Sequence, residues 1–132
     1  MNFSKPNETS IQIKTEMIGE FQKIAFIGKL LYGQTEKAKA LILEHITQAP
    51  GYIFDTRDME AIDSTGFGLL ITITKQIQTA PGSVVIIVES ASLLEYFTIA
   101  KFDLIFPLVD TELQAVALLK NKPETTLLLE EY

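Results

Sequence analysis

Hydrophobic and polar residues alternate near the start of the chain in a pattern that is typical of strands. Apolar or β-branched side chains recur at every second position, at Ile11, Ile13, Thr15 and Met17. A second apolar stretch, residues 21–27, follows directly after Gly19-Glu20. Such alternation favours a strand with one buried face, and a glycine-containing pair between two runs favours a tight turn. We therefore predict an antiparallel hairpin of two strands.

A helical spacing of apolar residues comes next. The recurring positions are Ala38, Leu41, Ile42 and Ile46. Thr35 precedes them and belongs to the residue types that cap helix N-termini, whereas Pro50-Gly51 is a sequence that stops a helix. This pattern predicts a helix that is capped by Thr35 and ends before Pro50.

The rest of the chain alternates short apolar runs with helical patterns. The runs predict strands at residues 52–55, 83–88 and 104–109. The helical patterns predict helices from Asp63 to Pro81-Gly82, at 93–100, and at 111–119, the last with Thr111 as its cap and Glu112 in its first turn. The expected buried stripe of the helix after Asp63 is Phe67, Leu70, Ile71, Thr74 and Ile77. Since a helix between two strands allows parallel pairing, a mixed sheet with helices is expected.

A hexapeptide with two hydroxyl groups lies at the predicted start of the second helix. Asp63-Ser64-Thr65-Gly66-Phe67-Gly68 stands between an acidic extended stretch and an apolar helical run. Unpaired N–H groups and the helix dipole favour an anion there, so a phosphate on Ser64 or Thr65 would be well placed. Asp, Ser and Thr are also ordinary N-cap residues, and glycine permits tight turns. Both a phosphorylation switch and a plain helix cap fit the motif.

The sequence around this motif resembles the STAS family, named for sulfate transporters and anti-sigma factor antagonists. The resemblance runs over residues 11–119, and the segments that carry it are Tyr52-Ile53-Phe54-Asp55, then Met59, Ile62 and Asp63, the hexapeptide, residues 69–77, and residues 90–97. It implies an α/β STAS fold. In this fold a mixed sheet of four to five strands carries about four helices, which pack mainly on one face.

The family's loop reads Asp-Ser-Ser/Thr-Gly-Leu-Gly, and its first hydroxyl residue is phosphorylated by a partner kinase. The resemblance implies that Ser64 is this residue, with Thr65 as the secondary candidate. It also implies an anti-sigma factor antagonist, which controls transcription in a stress response by partner switching. The unphosphorylated chain would bind a serine/threonine kinase anti-sigma factor, and phosphorylation would release it. A PP2C-type phosphatase would restore binding. Such a protein is not an enzyme, and we expect no catalytic residue, metal or cofactor.

The other residues of the switch loop have more than one interpretation. Asp63 either orients the Ser64 hydroxyl or caps the helix, and Thr65 is a secondary phosphate acceptor or a capping group. Gly66 and Gly68 would let the backbone of a partner come close. Phe67 stands where the family usually has leucine. Its ring either anchors a partner from the surface or packs into the sheet.

Two segments depart from the family pattern. Gly28-Lys29-Leu30-Leu31 lacks the acidic residues usual at the end of the second strand, and Ala100-Lys101 replaces a common glycine before the last strand. A second hypothesis is therefore a STAS regulatory or structural subunit of a transporter or other multiprotein complex, without phosphorylation. A third is a sensor that binds a small molecule or nucleotide between the sheet and the helix ends.

Composition indicates one domain. The chain has 132 residues, of which 47% are hydrophobic, enough to fill one core. We expect a single STAS domain over residues 1–120, with a flexible N-terminus at 1–9 and a C-terminal tail at 121–132. In the tail, Leu127-Leu128-Leu129 would dock on a groove, on a neighbouring subunit or on nothing, and a homodimer is a candidate assembly. The absence of cysteine excludes disulfides and thiolate metal sites.

Charge and hydropathy exclude several classes of function. The formal net charge is −6, which opposes direct binding of nucleic acid. The N-terminal residues lack the apolar core of a signal peptide, and no apolar run approaches the roughly 20 residues of a membrane span, so a cytoplasmic protein is expected. Four carboxylates close in sequence predict a solvated acidic loop rather than a magnesium site: Asp55, Asp58, Glu60 and Asp63. His45, the only histidine, is expected at the surface.

Overall fold

The computed structural model of the chain describes residues 10–77 and 83–121. The expectations for the N-terminus at 1–9, for the helix stop at Pro81-Gly82 and for the tail from 122 onward lie outside these residues. Asn121, which was assigned to the tail, is the last residue of a helix.

Six strands and four α-helices alternate along the described residues. The strands are β1 (Gln12–Ile18), β2 (Phe21–Leu30), β3 (Tyr52–Asp55), β4 (Met59–Ile62), β5 (Val84–Ile87) and β6 (Leu108–Val109). The helices are α1 (Thr35–His45), α2 (Ser64–Ile77), α3 (Ala91–Ile99) and α4 (Glu112–Asn121), and a short 3-10 helix lies at Phe102–Leu104. This order confirms the α/β class.

The sheet is mixed, as predicted, and has one strand more than the expected four to five. Its order is β1-β2-β3-β5-β6, and β4 pairs with the far end of β2. The β1–β2 pair is antiparallel, whereas the remaining pairs are parallel. Gly19, with a φ of 62°, forms the tight turn of the predicted hairpin. The additional strand is β4, which pairs with β2 after a shift of register between Gly28 and Lys29.

The helices cover the two faces of the sheet unequally. Helices α1, α2 and α3 bury their apolar residues against one face, in a cluster that includes Ile24, Phe26 and Phe54. Among the described helices, only α4 packs on the opposite face. Its cluster consists of Phe21, Ile53, Val85, Ile87, Ala115 and Leu119. The prediction that the helices lie mainly on one face is therefore confirmed.

Several local predictions need correction. Thr35 is the first residue of α1 and not its cap, because Gln34 occupies the N-cap position and its side chain accepts the Ile11 N–H. The last predicted strand, 104–109, shrinks to Leu108–Val109, because the 3-10 helix includes Leu104 and the turn continues to Phe106, whose N–H bonds to the Phe102 carbonyl. Thr111 does cap α4, since its Oγ1 accepts the Gln114 N–H at 3.1 Å.

The buried face of α2 is rotated relative to the predicted stripe. Its buried residues are Gly66, Leu69, Leu70, Ile73, Thr74 and Ile77. Phe67 and Ile71 are only half-buried. The helix thus presents a glycine, not Phe67, at the point where its first turn meets the sheet.

Lys101 lies in the segment where the family usually has a glycine. Its φ is 66°, and in the described part of the chain it is the one residue other than glycine with a positive φ. Its N–H bonds to the Thr98 carbonyl at the end of α3. The left-handed conformation costs a residue with a Cβ roughly 1–2 kcal/mol. The turn is therefore kept at this position without the residue that adopts it most easily.

Candidate functional site

Asp63 connects the end of β4 to the start of α2 and caps the helix. Its Oδ1 accepts the N–H groups of Thr65 at 3.0 Å and Gly66 at 3.1 Å. Its carbonyl oxygen accepts the Phe67 N–H at 3.0 Å. These are the bonds of an N-cap residue. Of the two predicted roles for Asp63, helix capping is therefore the one that its hydrogen bonds fulfil.

The same carboxylate ties the helix to the loop after β2. Asp63 Oδ2 accepts the Tyr32 N–H at 2.9 Å. The Tyr32 backbone is therefore held beside the start of α2, and Tyr32 is 84% exposed. Tyr32 was not among the predicted site residues, because the contact of its backbone with Asp63 joins two segments that are distant in sequence.

Hydrogen bonds keep the Asp63 carboxylate ionised. The hydrogen bond from the Thr65 hydroxyl lowers the pKa of Asp63 most strongly, and the N–H groups of Tyr32, Gly66 and Thr65 lower it further. Burial raises the pKa, but by less than the Thr65 bond lowers it. A carboxylate with a lowered pKa is a weak base. Asp63 is thus suited to hold the loop rather than to remove a proton.

Ser64 is the first residue of α2, and its side chain is exposed. Within residues 10–77 and 83–121, no group forms a hydrogen bond with the Ser64 hydroxyl, although its neighbours are all engaged by Asp63. The hydroxyl is therefore open to the active site of another protein.

Thr65 differs from Ser64 in both exposure and bonding. It is half-buried, and its Oγ1 donates to Asp63 Oδ1 at 2.7 Å. A phosphate on Thr65 would have to break this bond and would lie directly against the Asp63 carboxylate. The geometry therefore favours Ser64 over Thr65 as the acceptor.

The two glycines of the loop have different surroundings. Gly66 is buried, and a Cβ built on it would lie 2.5 Å from the Leu30 carbonyl oxygen and 2.7 Å from Ile62 Cγ1. A Cβ on Gly68 would meet no atom of the described residues within 4 Å. Gly66 thus permits close approach to strands of this chain and not to a partner. Gly68 is exposed and leaves the surface beside it free.

Phe67 packs against other aromatic rings. Its ring centroid is 5.1 Å from that of Phe97 in α3 and 4.9 Å from that of Phe102 in the 3-10 helix. Phe102 also lies 5.3 Å from Phe106. Of the two interpretations of Phe67, packing within the protein therefore applies, and the cluster fixes the first turn of α2 to α3.

Asp55 lies in a charged network on the other face of the sheet, so it does not belong to a solvated loop. Arg57 binds both of its carboxylate oxygens, at 2.9 and 2.8 Å, and Lys23 lies 3.8 Å away. Lys23 in turn contacts Glu112 of α4 at 2.8 Å. Burial by itself would raise the pKa of Asp55, but the bonds from Arg57 and the charge of Lys23 outweigh it and lower the pKa. The network holds α4 against the sheet.

The other acidic residues and the histidine lie at the surface. Asp58, Glu60 and His45 are exposed, which confirms the expectation for His45. In the described ranges, no three carboxylate or imidazole groups converge as a metal site would require. No helix there is both long and apolar enough to cross a membrane.

Replacing Asp63 with alanine is expected to lower the free energy of unfolding at neutral pH by about 1–2 kcal/mol, the usual effect of losing an N-cap. Because the folded pKa of Asp63 is lowered, its contribution is present above the ordinary aspartate pKa of about 3.9 and is lost as pH falls through the folded value. Urea unfolding from neutral to acidic pH should therefore show the difference between wild type and variant shrinking.

The control is Asp63→Asn, which keeps an oxygen for the Thr65 and Gly66 N–H groups but presents an NH₂ group to the Tyr32 N–H. It should lie between the wild type and Asp63→Ala at neutral pH. A difference between wild type and Asp63→Ala that stays constant through the acidic range would contradict the role given to the ionised carboxylate.

Comparison with known proteins gives the family of this α/β domain. The model of the STAS domain family matches residues 12–115, most of the chain. The chain therefore belongs to the STAS domain family. A comparison with curated proteins gave no match.

Solved structures share its fold. The crystal structure of an anti-sigma factor antagonist from Mycobacterium paratuberculosis matches with a TM-score of 0.76 and 16% identity, over 86% of this chain and 97% of that chain. The unphosphorylated form of the anti-sigma factor antagonist SpoIIAA matches with a TM-score of 0.59 and 21% identity, over 83% and 98% of the two chains. The phosphorylated form of SpoIIAA, a Bacillus cell fate determinant, matches with a TM-score of 0.57 and 21% identity, over 80% and 97%.

Proposed function

We propose that this protein is an anti-sigma factor antagonist that switches partners through phosphorylation of Ser64. The observation that carries the proposal is the exposed Ser64 hydroxyl, free of hydrogen bonds within the described residues, at the start of a helix whose other loop groups are held in place. The fold shared with anti-sigma factor antagonists, including one solved in phosphorylated and unphosphorylated forms, supports it.

The unphosphorylated protein would bind a serine/threonine kinase anti-sigma factor and thereby free the sigma factor. Ser64 would lie inside this interface, with exposed Tyr32 beside it and the rigid α2 behind it. The kinase would transfer the γ-phosphoryl group of ATP to the Ser64 oxygen. The base for this transfer would come from the kinase, since the Asp63 carboxylate is a weak base committed to the loop. This protein would act by binding, in the cytoplasm, and not as an enzyme.

Phosphorylation would break the complex by electrostatics and desolvation. A phosphate adds about 1.5–2 negative charges at neutral pH. The phosphate on Ser64 would lie next to the ionised Asp63. It would also lie inside an interface whose partner surface fits a neutral hydroxyl. A penalty of ~2.8 kcal/mol would weaken binding about 100-fold. A PP2C-type phosphatase would hydrolyse the phosphate and restore the binding form.

The proposal is tested in two measurements. Phosphosite mass spectrometry on the protein from its native cells, in growth and in stress, should find phosphate on Ser64 in the peptide from residue 58 to 75. Calorimetry with the kinase anti-sigma factor of the same cells should show that Ser64→Ala binds like the wild type, and incubation with this kinase and ATP should leave the variant unphosphorylated. Ser64→Asp and Ser64→Glu should bind about 100-fold more weakly, for the reason given above.

Thr72→Asp is the matched control, because it places the same charge on an exposed position of α2 about two turns away. It should bind like the wild type. Equal binding by the Ser64 variants would contradict the switch. Phosphate on Thr65 would move the acceptor, and an unmodified peptide in every condition would instead indicate a regulatory or structural subunit of a larger complex.

A further inference from the structure

Strand β1 forms one edge of the sheet, and in the described part of the chain it pairs with β2 alone. Ile18 and Phe21 face each other across the two-residue turn, so they form a hydrogen-bonded pair. Alternation along the strand then directs the backbone groups of the odd-numbered residues away from β2. Ile11, just before the strand, agrees with this alternation, since its N–H bonds to the Gln34 side chain.

The outward backbone groups are those of Ile13, Thr15 and Met17. A second antiparallel strand could pair with them and extend the sheet. An open groove begins at this edge and continues across the face of the sheet, where its lining includes Lys14, Glu16, Lys23, Asp55 and Arg57. The edge therefore has the geometry to accept another strand.

The sequence of β1 is complementary to itself about Thr15. If a second copy pairs antiparallel with Thr15 opposite Thr15, then Lys14 of each copy lies opposite Glu16 of the other. Ile13 of each copy lies opposite Met17 of the other, on the opposite face of the sheet. Opposite charges and apolar pairs at facing positions both stabilise antiparallel strands. In this register Lys14 and Glu16 fall in non-hydrogen-bonded pairs, where side chains are closest.

We propose that two copies of this protein form a dimer through β1, in this register, with one continuous sheet across the two-fold axis. Each facing pair of outward residues exchanges two backbone hydrogen bonds. Glu16 contacts Lys23 of its own chain at 3.4 Å, yet its side chain remains 57% exposed and can also reach Lys14 of the second copy. The partner that this edge fits is therefore a second copy of the chain.

The charges on β1 also bear on how specific this pairing is. Charged residues on an edge strand oppose pairing with unrelated strands. Here the lysine and the glutamate are placed symmetrically about Thr15, so the same charges that reject other strands attract an identical one. The dimer should be weak, because one seven-residue edge buries less than the roughly 1,200 Å² of a specific stable interface.

The test uses analytical ultracentrifugation of the full chain from micromolar to several hundred micromolar. The wild type should pass from monomer to dimer in this range. Lys14→Glu and Glu16→Lys each place like charges opposite one another in both pairs, so each should weaken the dimer at least about tenfold. A mixture of the two variants restores opposite charges in both pairs and should form a heterodimer with the wild-type affinity. The double variant Lys14→Glu/Glu16→Lys should also dimerise.

A backbone variant separates strand pairing from simple charge attraction. Thr15→Pro removes an outward N–H at the centre of the dimer but no bond to β2, a position where an edge strand tolerates proline. It should abolish the dimer while thermal unfolding shows a folded chain. A wild type that stays monomeric throughout the range, or a dimer unaffected by the two charge variants, would overturn the proposal.

Discussion

Replacing Gly66 with alanine is expected to destabilise the protein by about 3 kcal/mol or more, the upper range for overpacking a core. The added Cβ would lie 2.5 Å from the Leu30 carbonyl oxygen, far inside van der Waals contact. That carbonyl belongs to the end of β2 and accepts the Asp63 N–H. It cannot retreat without disturbing the strand and the cap together, so α2 would have to move away from the sheet.

Gly68→Ala is the matched control in the same helix. A Cβ there meets no atom within 4 Å in the part of the chain that the structure describes, so only helix propensity changes. This should stabilise the protein by roughly 0.5–1 kcal/mol. Urea unfolding of the two variants and the wild type measures both effects. Similar stability of Gly66→Ala and Gly68→Ala would show that the close packing of α2 on β2 does not exist.

This contrast shows what the sequence could and could not predict about the loop. The residue types and their position at a helix start were sufficient to predict a cap, an acceptor hydroxyl and a site of close approach. Residue types alone could not rank Ser64 above Thr65, an order that came from the family resemblance, and they could not distinguish the two glycines that flank Phe67. Which hydroxyl bonds to Asp63 and which glycine faces Leu30 depends on the packing of α2.

The same distinction applies to the fold. The hairpin and the four helices could be predicted because their patterns repeat over many neighbouring residues. Two short strands could not be placed well. Strands β3 and β5 also have only four residues, but all four are buried in a largely apolar run, whereas β4 buries only its two ends and β6 has two half-buried residues. Asp55 was misassigned for a different reason. Its partner Lys23 and their link to Glu112 are distant in sequence, so a run of acidic residues suggested a solvated loop.

Replacing Phe102 with alanine should destabilise the protein by about 3–5 kcal/mol, the range for truncating a buried phenylalanine. The side chain is fully buried, and its ring contacts those of Phe67, Phe97 and Phe106. Because Phe67 lies one turn after the Ser64 end of α2, the cavity would also loosen the start of that helix. Urea unfolding measures the loss of stability, and hydrogen exchange of the amides in the first turn of α2 measures the loosening.

Leu104→Ala provides the control, since it removes an apolar side chain from the same 3-10 helix where that side chain is 56% exposed. It should change stability by no more than about 0.5 kcal/mol and leave the exchange of α2 unchanged. Should Phe102→Ala lose stability while the first turn of α2 exchanges as in the wild type, the aromatic cluster would be a core element only. Faster exchange there would mean that α3 and the 3-10 helix also hold Ser64 in position for a partner.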